Sequence, residues 1–240
     1  MKKIQKTSEL LWLLGTIFVA LGVTICSKAN LGVSMIAAPA FVIQEALSNS
    51  WTWLSVGMTE YVIQGILLIL LCVIIKKFNW RFIFAFLVAF IYGYVLDFFL
   101  WVFSSVNFNE IWLRWVMLIV GDCCTAFGVA CFFRTSWPLQ VYELFVSKVS
   151  STYKLNINKV KWFFDISLLI ISIVLAFTLF GDVKTFDWTS IYYNSFHFIG
   201  LGTLVTTLIN SPIITAMGKI IDKIFMPSPL FPKIDAWLNK

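Results

Sequence analysis

The sequence predicts an all-α transmembrane protein with six spanning helices, two short re-entrant helices and two inverted-topology repeats. Three observations predict this class. Hydrophobic residues make up 60% of the 240 residues and charged residues only 12%, with a mean hydropathy of +0.89, whereas a soluble domain has about 25% charged residues. Several apolar segments are long enough to cross a bilayer, and the order of segments in the first half recurs in the second.

A transmembrane helix needs about 20 mostly apolar residues. The segments of that length are 9–27, 54–75, 80–104, 111–133, 160–181 and 191–217. The first follows a basic start and has no small-residue cleavage site after it, so we interpret it as a retained span and not as a signal peptide. Two shorter apolar pieces, 33–48 and 137–149, follow the first and fourth spans and are too short to cross comfortably.

Loop charge decides between two topologies. If the N-terminus is cytoplasmic and neither short piece crosses, 15 of the 18 Lys and Arg residues lie inside, and only Lys28, Arg114 and Lys184 lie outside. If both pieces cross, the split falls to 12 inside and 6 outside. Because cytoplasmic loops are enriched in Lys and Arg, the sequence favours two re-entrant pieces, with both termini on the cytoplasmic side of the plasma membrane.

Three spans per half is an odd number, so the second half is expected to lie upside down relative to the first. The first repeat covers 1–106, the second covers 107–218, and 219–240 form a cytoplasmic amphipathic tail. At an offset of 106 residues the matching pairs are Gly15 with Gly121, Ala20 with Ala126, Gly22 with Gly128, Val23 with Val129 and Lys28 with Arg134. Inverted repeats with broken helices near the midplane are a recurring transporter design.

A joint precedes each short helix. In the second joint, Ser136 is expected to cap the helix, with Pro138 in its first turn. In the first joint, Asn30 or Ser34 can cap, and Gly32 permits a tight turn. Short helices that dip from opposite faces would point their termini into the protein, where a helix N-terminus favours negative charge.

An ionisable residue inside a span is costly and is a functional candidate by default. Asp122, near the middle of the fourth span, is the first candidate for binding a ligand or a proton, and the alternative is a structural bond between helices. Asp97, in the outer part of the third span, is either a pocket residue or an interfacial carboxylate. Gln64, in the second span, either binds substrate or bonds across helices.

The second short segment carries Gln140 and Glu143, which are three residues apart and therefore share a helix face. Arg134 lies just before them, so the three residues could bind or gate, or Arg134 could simply neutralise Glu143. Asp165 follows Lys161 by four residues, which favours an ion pair on one helix face and leaves a gating role as the alternative.

The remaining candidates lie near the joints and in the last span. Asn210 begins an Asn-Ser-Pro interruption of the last span, where proline predicts a kink with a site beside it. Ser34 is a substrate-binding candidate at the first joint, and Lys28, which matches Arg134, is a gating charge. His197 is the only histidine, and the five cysteines all fall in predicted spans. We therefore expect no metal site, no disulfide framework and no cofactor.

Two stretches carry a family resemblance: SKANLGVSMIAAP at 27–39 and GLGTLVTTLINSPI at 200–213. On these residues the chain resembles the YczE/YyaS/YitT group of bacterial integral membrane proteins. The resemblance implies a small, polytopic, duplicated protein with Gly-rich turns after the first span of each half. The chain departs from the pattern in its second joint, RTSWPLQVYE, and at Thr215, where an acidic residue is expected. The resemblance implies no settled substrate.

These patterns favour a small secondary transporter or permease for an unidentified small solute, with proton coupling through buried carboxylates. A substrate-capture subunit of an ATPase-driven importer and a non-transporting membrane accessory protein are the alternatives. We expect no enzyme, because the chain lacks a phosphate-binding loop, an HExxH motif and a nucleophile elbow. The expected partners are the lipid bilayer, a small-molecule substrate and, as an option, a second copy of the chain. Nucleic acid is not expected, because the basic residues lie in loops as positive-inside charge.

Overall fold

The computed structural model describes residues 7–80, 82–181, 188–225 and 228–229. Within these ranges the chain forms α1 (Ser8–Ala29), α2 (Ala38–Leu47), α3 (Val56–Ile75), α4 (Phe82–Val102), α5 (Ile111–Phe132), α6 (Val141–Tyr153), α7 (Ile157–Phe180), a 3-10 turn (Trp188–Tyr192) and α8 (Leu201–Ile224). Six of these helices, all but α2 and α6, are long and apolar enough to span a membrane. The predicted all-α class with six long and two short helices is confirmed.

The long helices expose apolar side chains outward. Those more than half exposed include Ile66, Ile69, Phe98, Phe163 and Ile170. The interior holds two large apolar clusters, one made mainly by α1, α4, α5 and α8 and the other by α3, α4, α6 and α7. Apolar side chains on the outside suit contact with lipid. Helices also satisfy their backbone hydrogen bonds internally, which a bilayer requires.

The helices α1 and α5 pack against each other in opposite directions. At one end, Ser8 Oγ lies 2.7 Å from Ser136 Oγ, just beyond the end of α5. At the other end, the Cys26 thiol donates to the Leu118 carbonyl at 3.7 Å. Residue numbers that rise along α1 therefore meet numbers that fall along α5, so the pair is antiparallel.

Glycines on α1 and α5 show that the pair is two-fold symmetric. A Cβ atom added at Gly22 would lie 2.5 Å from the Gly121 carbonyl oxygen, and one added at Gly128 would lie 2.8 Å from the Gly15 carbonyl oxygen. The repeat offset relates Gly15 to Gly121 and Gly22 to Gly128. The contact between Gly22 and Gly121 is therefore equivalent to the contact between Gly128 and Gly15, as expected for a two-fold axis. An axis that relates two antiparallel spans in this way lies in the membrane plane, which is the geometry of an inverted repeat.

Helix directions also show which segments cross. Along α5 and α8, Asp122 meets Asn210 and, further on, Arg134 meets Asp222, so these two helices are parallel. Each crossing reverses the chain, so parallel α5 and α8 allow one crossing between them, which α7 supplies. In the same way, antiparallel α1 and α5 allow two crossings between them, which α3 and α4 supply. These helix directions fit a topology in which neither α2 nor α6 crosses.

Each short helix packs against a long helix of the other half, α2 against α7 and α6 against α3. Their N-terminal ends reach the interior. Ile36, just before α2, and Tyr142 and Glu143, at the start of α6, border the same small internal space. The sequence prediction that the short helices point their termini into the protein agrees with this placement.

The second short helix begins at Val141, four residues after its predicted start at 137. Gln140 occupies the N-cap position, so the prediction that Ser136 caps this helix, with Pro138 in its first turn, is wrong. The Ser136 N–H donates to Ser8 Oγ at 2.8 Å. This contact holds the joint at the start of α1, and the chain turns into a helix only further along.

The first short helix begins at Ala38, five residues after its predicted start at 33. Asn30, at a φ of 52°, ends α1 in the left-handed conformation, and Gly32, at a φ of 114°, makes the expected turn. Ala37 holds the N-cap position without a side-chain cap, so the prediction that Asn30 or Ser34 caps this helix is wrong. The Ser34 carbonyl accepts the Ala37 and Ala38 N–H groups at 3.0 and 2.9 Å.

The last span begins at Leu201, ten residues after its predicted start at 191. Before it, Phe196 and Ile199 pair their backbones in a tight turn. The Phe198 carbonyl accepts the Val33 N–H of the first joint at 2.8 Å, and the Gly202 N–H, in the first turn of α8, donates to the Leu31 carbonyl at 2.8 Å. The chain before α8 therefore packs on the first joint, which keeps it out of the helix.

The C-terminal end of α8 extends further than expected. The helix continues through Pro212 and past Gly218 to Ile224. Residues 219–224 of the predicted tail are thus the last turns of α8, while 226–227 and 230–240 lie outside the described residues.

Candidate functional site

Eight polar side chains that are at most 5% exposed lie in the interior, six in the second half of the chain and two, Glu60 and Gln64, in the first. They belong to α3, α5, α7 and α8 and to the start of α6, and we call them the buried belt: Glu60, Gln64, Asp122, Gln140, Glu143, Lys161, Asp165 and Asn210. Four are carboxylates and one is a lysine. Burying a charge is costly unless it is paired or neutralised, so the partners of these groups decide what the belt can do.

Asp122 and Asn210 join α5 to α8. Asn210 Nδ2 donates to Asp122 Oδ1 at 3.1 Å. The second oxygen of Asp122 is buried and makes no hydrogen bond among the described residues, and the same holds for Asn210 Oδ1. The structural bond between helices therefore exists, and Asp122 keeps one oxygen for a proton or a ligand.

Lys161 and Asp165 form the predicted ion pair one turn apart on α7. Lys161 Nζ lies 3.1 Å from Asp165 Oδ2, and the two side chains are 6% and 2% exposed. Lys161 also lies within electrostatic range of Asp122 and of Glu143. One lysine thus interacts with three carboxylates, which leaves the belt with excess negative charge if all of them ionise.

Glu60 completes the belt on the side of α3. The Tyr142 hydroxyl donates to Glu60 Oε2 at 2.7 Å and joins α6 to α3. Glu60 Oε1, Glu143 Oε2 and both amide atoms of Gln64 and of Gln140 are buried without a partner at ordinary hydrogen-bond distance within the described chain, although the Gln64 amide also interacts with the Glu60 carboxylate. Buried polar groups in proteins are normally bonded, so this concentration of unbonded atoms indicates a place for a ligand, an ion or water.

Glu60 is not among the site residues predicted from the sequence. The signal was available, because Glu60 is an ionisable residue inside the second predicted span. It also lies 105 residues before Asp165, one residue from the repeat offset. Its position near the start of α3 resembles that of an interfacial carboxylate, and only its contact with Tyr142 from the other half places it in the interior.

Asp97, a residue of α4, lies outside the belt and contacts the start of α3. Its two carboxylate oxygens accept the Ser55 hydroxyl at 2.6 Å and the Gly57 N–H at 2.8 Å. An acceptor at a helix N-terminus satisfies donors that the helix leaves unbonded. Asp97 therefore stabilises the start of α3. Its proposed contact with substrate stays a prediction.

The remaining candidates lie at the joints. Arg134 does not neutralise Glu143; it binds both oxygens of Asp222 on α8, at 2.6 and 2.7 Å. Lys28, its repeat equivalent, donates to the Ser104 carbonyl beyond α4 at 3.2 Å. Each cation therefore ties the end of the first helix of its half to the end of the last. Ser34 is buried at the first joint, and nothing yet tests its predicted role.

A cleft of about 610 Å³ opens on the face that loop charge predicts to be cytoplasmic. It is bordered by Arg134, Ser211, Thr215 and Lys219 and reaches Lys161 of the belt. Beyond Lys161, the space beside Tyr142 and Glu143 is too small for a water molecule. The belt thus has a route to one face that is closed at its inner end.

Fold and site define a class: a multi-pass, all-helical membrane protein with a two-fold internal repeat and a buried belt of ionisable and amide side chains. Residues 6–219 match the DUF6198 family, which is described as a family of unknown function, and the chain belongs to it. The comparisons with curated proteins and with solved structures gave no match. Among the described residues, no group of three or more His, Cys, Asp or Glu side chains is arranged to hold a metal ion.

Proposed function

We propose that the protein is a small secondary transporter that moves a small solute across the plasma membrane in exchange for, or together with, protons. The observation that carries this proposal is the buried belt, which extends from the second half to Glu60 and Gln64 of the first and is reached by a cleft lined in part by polar side chains. Ionisable groups inside a membrane are costly and mark ion and substrate pathways. Inverted repeats whose broken helices meet near the midplane are a transporter architecture.

The two-fold relation supplies alternating access. The cleft that reaches Lys161 leads from one face only. Because the axis lies in the membrane plane, an exchange of conformation between the halves would close this cleft and open its equivalent on the other face. The α1–α5 pair lies on the axis and is the fixed element about which the halves move.

Asp122 is the group we assign to proton binding. One of its oxygens is held by Asn210 and the other is free. When Asp122 takes a proton, its attraction for Lys161 disappears, and the lysine then interacts only with Asp165 and Glu143. Proton binding on α5 therefore changes the electrostatic interaction with α7, the helix on which Lys161 lies.

The basic residues at the two joints, Arg134 and Lys28, are suited to form contacts that open and close during transport, and we call these contacts latches. The Arg134–Asp222 pair is partly exposed, at 23% and 54% for the two side chains, and pairs of this kind contribute about 1 kcal/mol or less. Such a contact can break and reform during a transport cycle. Lys28 at the opposite joint has the equivalent position, and we propose that the two latches alternate.

The resemblance to the YczE/YyaS/YitT group belongs to this proposal. It supports a small duplicated membrane protein and brings no substrate with it. The ATPase-linked capture subunit and the accessory protein remain as outcomes of the test below.

The test uses purified protein in liposomes that contain a pH-sensitive dye. Small organic solutes are added one by one under an imposed proton gradient, and proton flux is recorded. We expect at least one solute to cause proton flux in the wild type, with the flux lost in Asp122→Asn. Glu110→Gln is the matched control, because Glu110 is an exposed carboxylate before α5, and its flux should equal that of the wild type.

Three results would contradict the proposal. Full solute-driven proton flux in Asp122→Asn would remove Asp122 from the coupling. Solute movement only in the presence of a co-purified ATPase would favour the capture subunit. If the folded protein moves no solute in liposomes, while cells still require the protein, the accessory role would be favoured.

A further inference from the structure

The contact between α3 and α6 contains buried oxygen atoms that the proposed proton pathway does not use. Glu60 and Gln64 are fully buried and Gln140 is 1% exposed. The Oε1 atom of each has no partner at ordinary hydrogen-bond distance in the described part of the chain, and the Gln64 amide interacts with the Glu60 carboxylate on the same helix. Glu60 and Gln64 are one turn apart on α3, and Gln140 lies two residues before Tyr142, which is bonded to Glu60. Three unbonded oxygens thus belong to segments that meet at one contact.

Charge indicates what this place binds. The described residues contain no Lys, Arg or His within ion-pair distance of Glu60, whereas Lys161 pairs with Asp165. Glu143 lies within electrostatic range of Glu60 and adds to the negative potential. A buried carboxylate without a counter-charge is strongly unfavourable, so this position attracts a cation.

We propose that Glu60, Gln64 and Gln140 form a binding site for a sodium ion, held by their Oε1 oxygens. A proton on Glu60 would neutralise the charge and could donate to one glutamine oxygen, but it would leave the other unbonded. A hard cation takes carboxylate and amide oxygens together in place of its hydration shell. One ionised carboxylate with neutral amides matches a single positive charge, which favours a monovalent ion over Ca²⁺ or Mg²⁺.

Tyr142 is a positioning residue for this site. Its hydroxyl occupies Glu60 Oε2 at 2.7 Å, which leaves Oε1 for the ion. The set differs from a transition-metal cluster, because it uses one carboxylate and two amides in place of several His, Cys or acidic side chains.

The site would also link the ion to the motion of the halves. Glu60 and Gln64 belong to the first half, and Gln140, at the N-cap position of α6, belongs to the second. A sodium ion held by all three is bound only while α3 and α6 stay together. Its role as a coupling ion rests on the proposed transporter function, whereas the binding itself does not.

The experiment measures thermal unfolding of the purified full chain in detergent. Buffers contain sodium chloride, potassium chloride or N-methyl-D-glucamine chloride at equal ionic strength. A ligand that binds only the folded state raises the unfolding temperature, by about 3–6 °C at a concentration tenfold above its Kd for a chain of this size. We expect this rise with sodium chloride, and its loss in Glu60→Gln and in Gln140→Leu. Glu110→Gln is the matched control, because Glu110 is an exposed carboxylate outside the belt, and it should keep the rise.

A second measurement keeps the inference testable if a variant does not fold. Binding of ²²Na⁺ to the wild-type protein is expected to saturate and to be displaced by unlabelled sodium chloride. The absence of saturable binding would overturn the site. So would an equal sodium-dependent rise in the wild type and in a folded Glu60→Gln protein. Stabilisation by lower pH alone, lost in Glu60→Gln, would identify a proton site in its place.

Neither measurement needs a transported solute or a gradient, so the two proposals can fail separately. Sodium binding without any solute flux would leave this site in place and remove the transporter. Solute flux driven by protons, with no sodium binding, would leave the transporter and remove this site.

Discussion

Replacing Gly22 with alanine tests the closest approach of α1 and α5. A Cβ atom at this position would lie 2.5 Å from the Gly121 carbonyl oxygen and 2.6 Å from the Thr125 backbone nitrogen. Ordinary van der Waals contact begins at 3.4 Å, so the backbones must separate locally by about 0.9 Å, the difference between 3.4 and 2.5 Å. The Thr125 hydroxyl also lies close to this position, but the Gly121 oxygen and the Thr125 nitrogen are backbone atoms of α5, so rotation of the Thr125 side chain alone cannot make room.

The cost follows from this separation. A gap of 0.5–1 Å loses about a quarter to a half of the dispersion attraction of each separated atom pair, and overpacking typically costs about 1–3 kcal/mol. Alanine regains up to about 1 kcal/mol of helix propensity over glycine. Because backbone meets backbone here, we expect the upper end of the cost and a net destabilisation of about 2 kcal/mol.

The assay is reversible unfolding of the purified protein in mixed detergent, or thermal unfolding where reversibility fails. Gly65→Ala is the matched control, because its added Cβ would meet only the Phe86 ring, at 3.3 Å. That ring can shift, so the control should be neutral or slightly stabilised. Gly128→Ala, the repeat equivalent of Gly22→Ala, should be destabilised by a similar amount. If Gly22→Ala is as stable as Gly65→Ala, the close central contact and the axis drawn through it are wrong.

Three further predictions test the belt, a latch and the topology. Asn210→Leu leaves both oxygens of Asp122 buried and unbonded, and should lower the free energy of unfolding by about 1–3 kcal/mol, whereas a belt open to water would show little change. Arg134→Gln should cost about 1 kcal/mol or less, and high salt should reduce the difference from the wild type; a larger, salt-independent loss would mean a buried structural role. In a chain without native cysteines, Asn30→Cys and Ser50→Cys should both react with a membrane-impermeant thiol reagent from outside intact cells, and reaction of only one would show that α2 crosses.

The candidate site was predictable in part. Asp122, Glu143 and Asp165 stand out as charges in apolar segments, and the Lys161–Asp165 pair follows from helical spacing alone. The sequence could not show that Glu60 belongs with them. Its partner Tyr142 is 82 residues away along the chain, and nothing local to either residue specifies that contact.

Helix boundaries at the joints also depended on distant parts of the chain. Ser136 has the residue type of a helix cap, but its backbone N–H donates to the Ser8 hydroxyl of α1. The predicted start of the last span failed for a similar reason, because the chain before Leu201 packs on the backbone of the first joint. Local capping preferences are worth about 1 kcal/mol, which tertiary contacts of this kind easily exceed.

By itself, the sequence determined the class of protein, the number of spanning helices and the inverted order of the two halves. These features follow from apolar length and from the distribution of positive charge, which are read along the chain without knowledge of packing. Only the tertiary structure decided which polar residues meet, since Asp122 and Asn210 are 88 residues apart and come together only when α5 packs against α8. The buried belt is a product of helix packing, and its chemistry exists only in the folded protein.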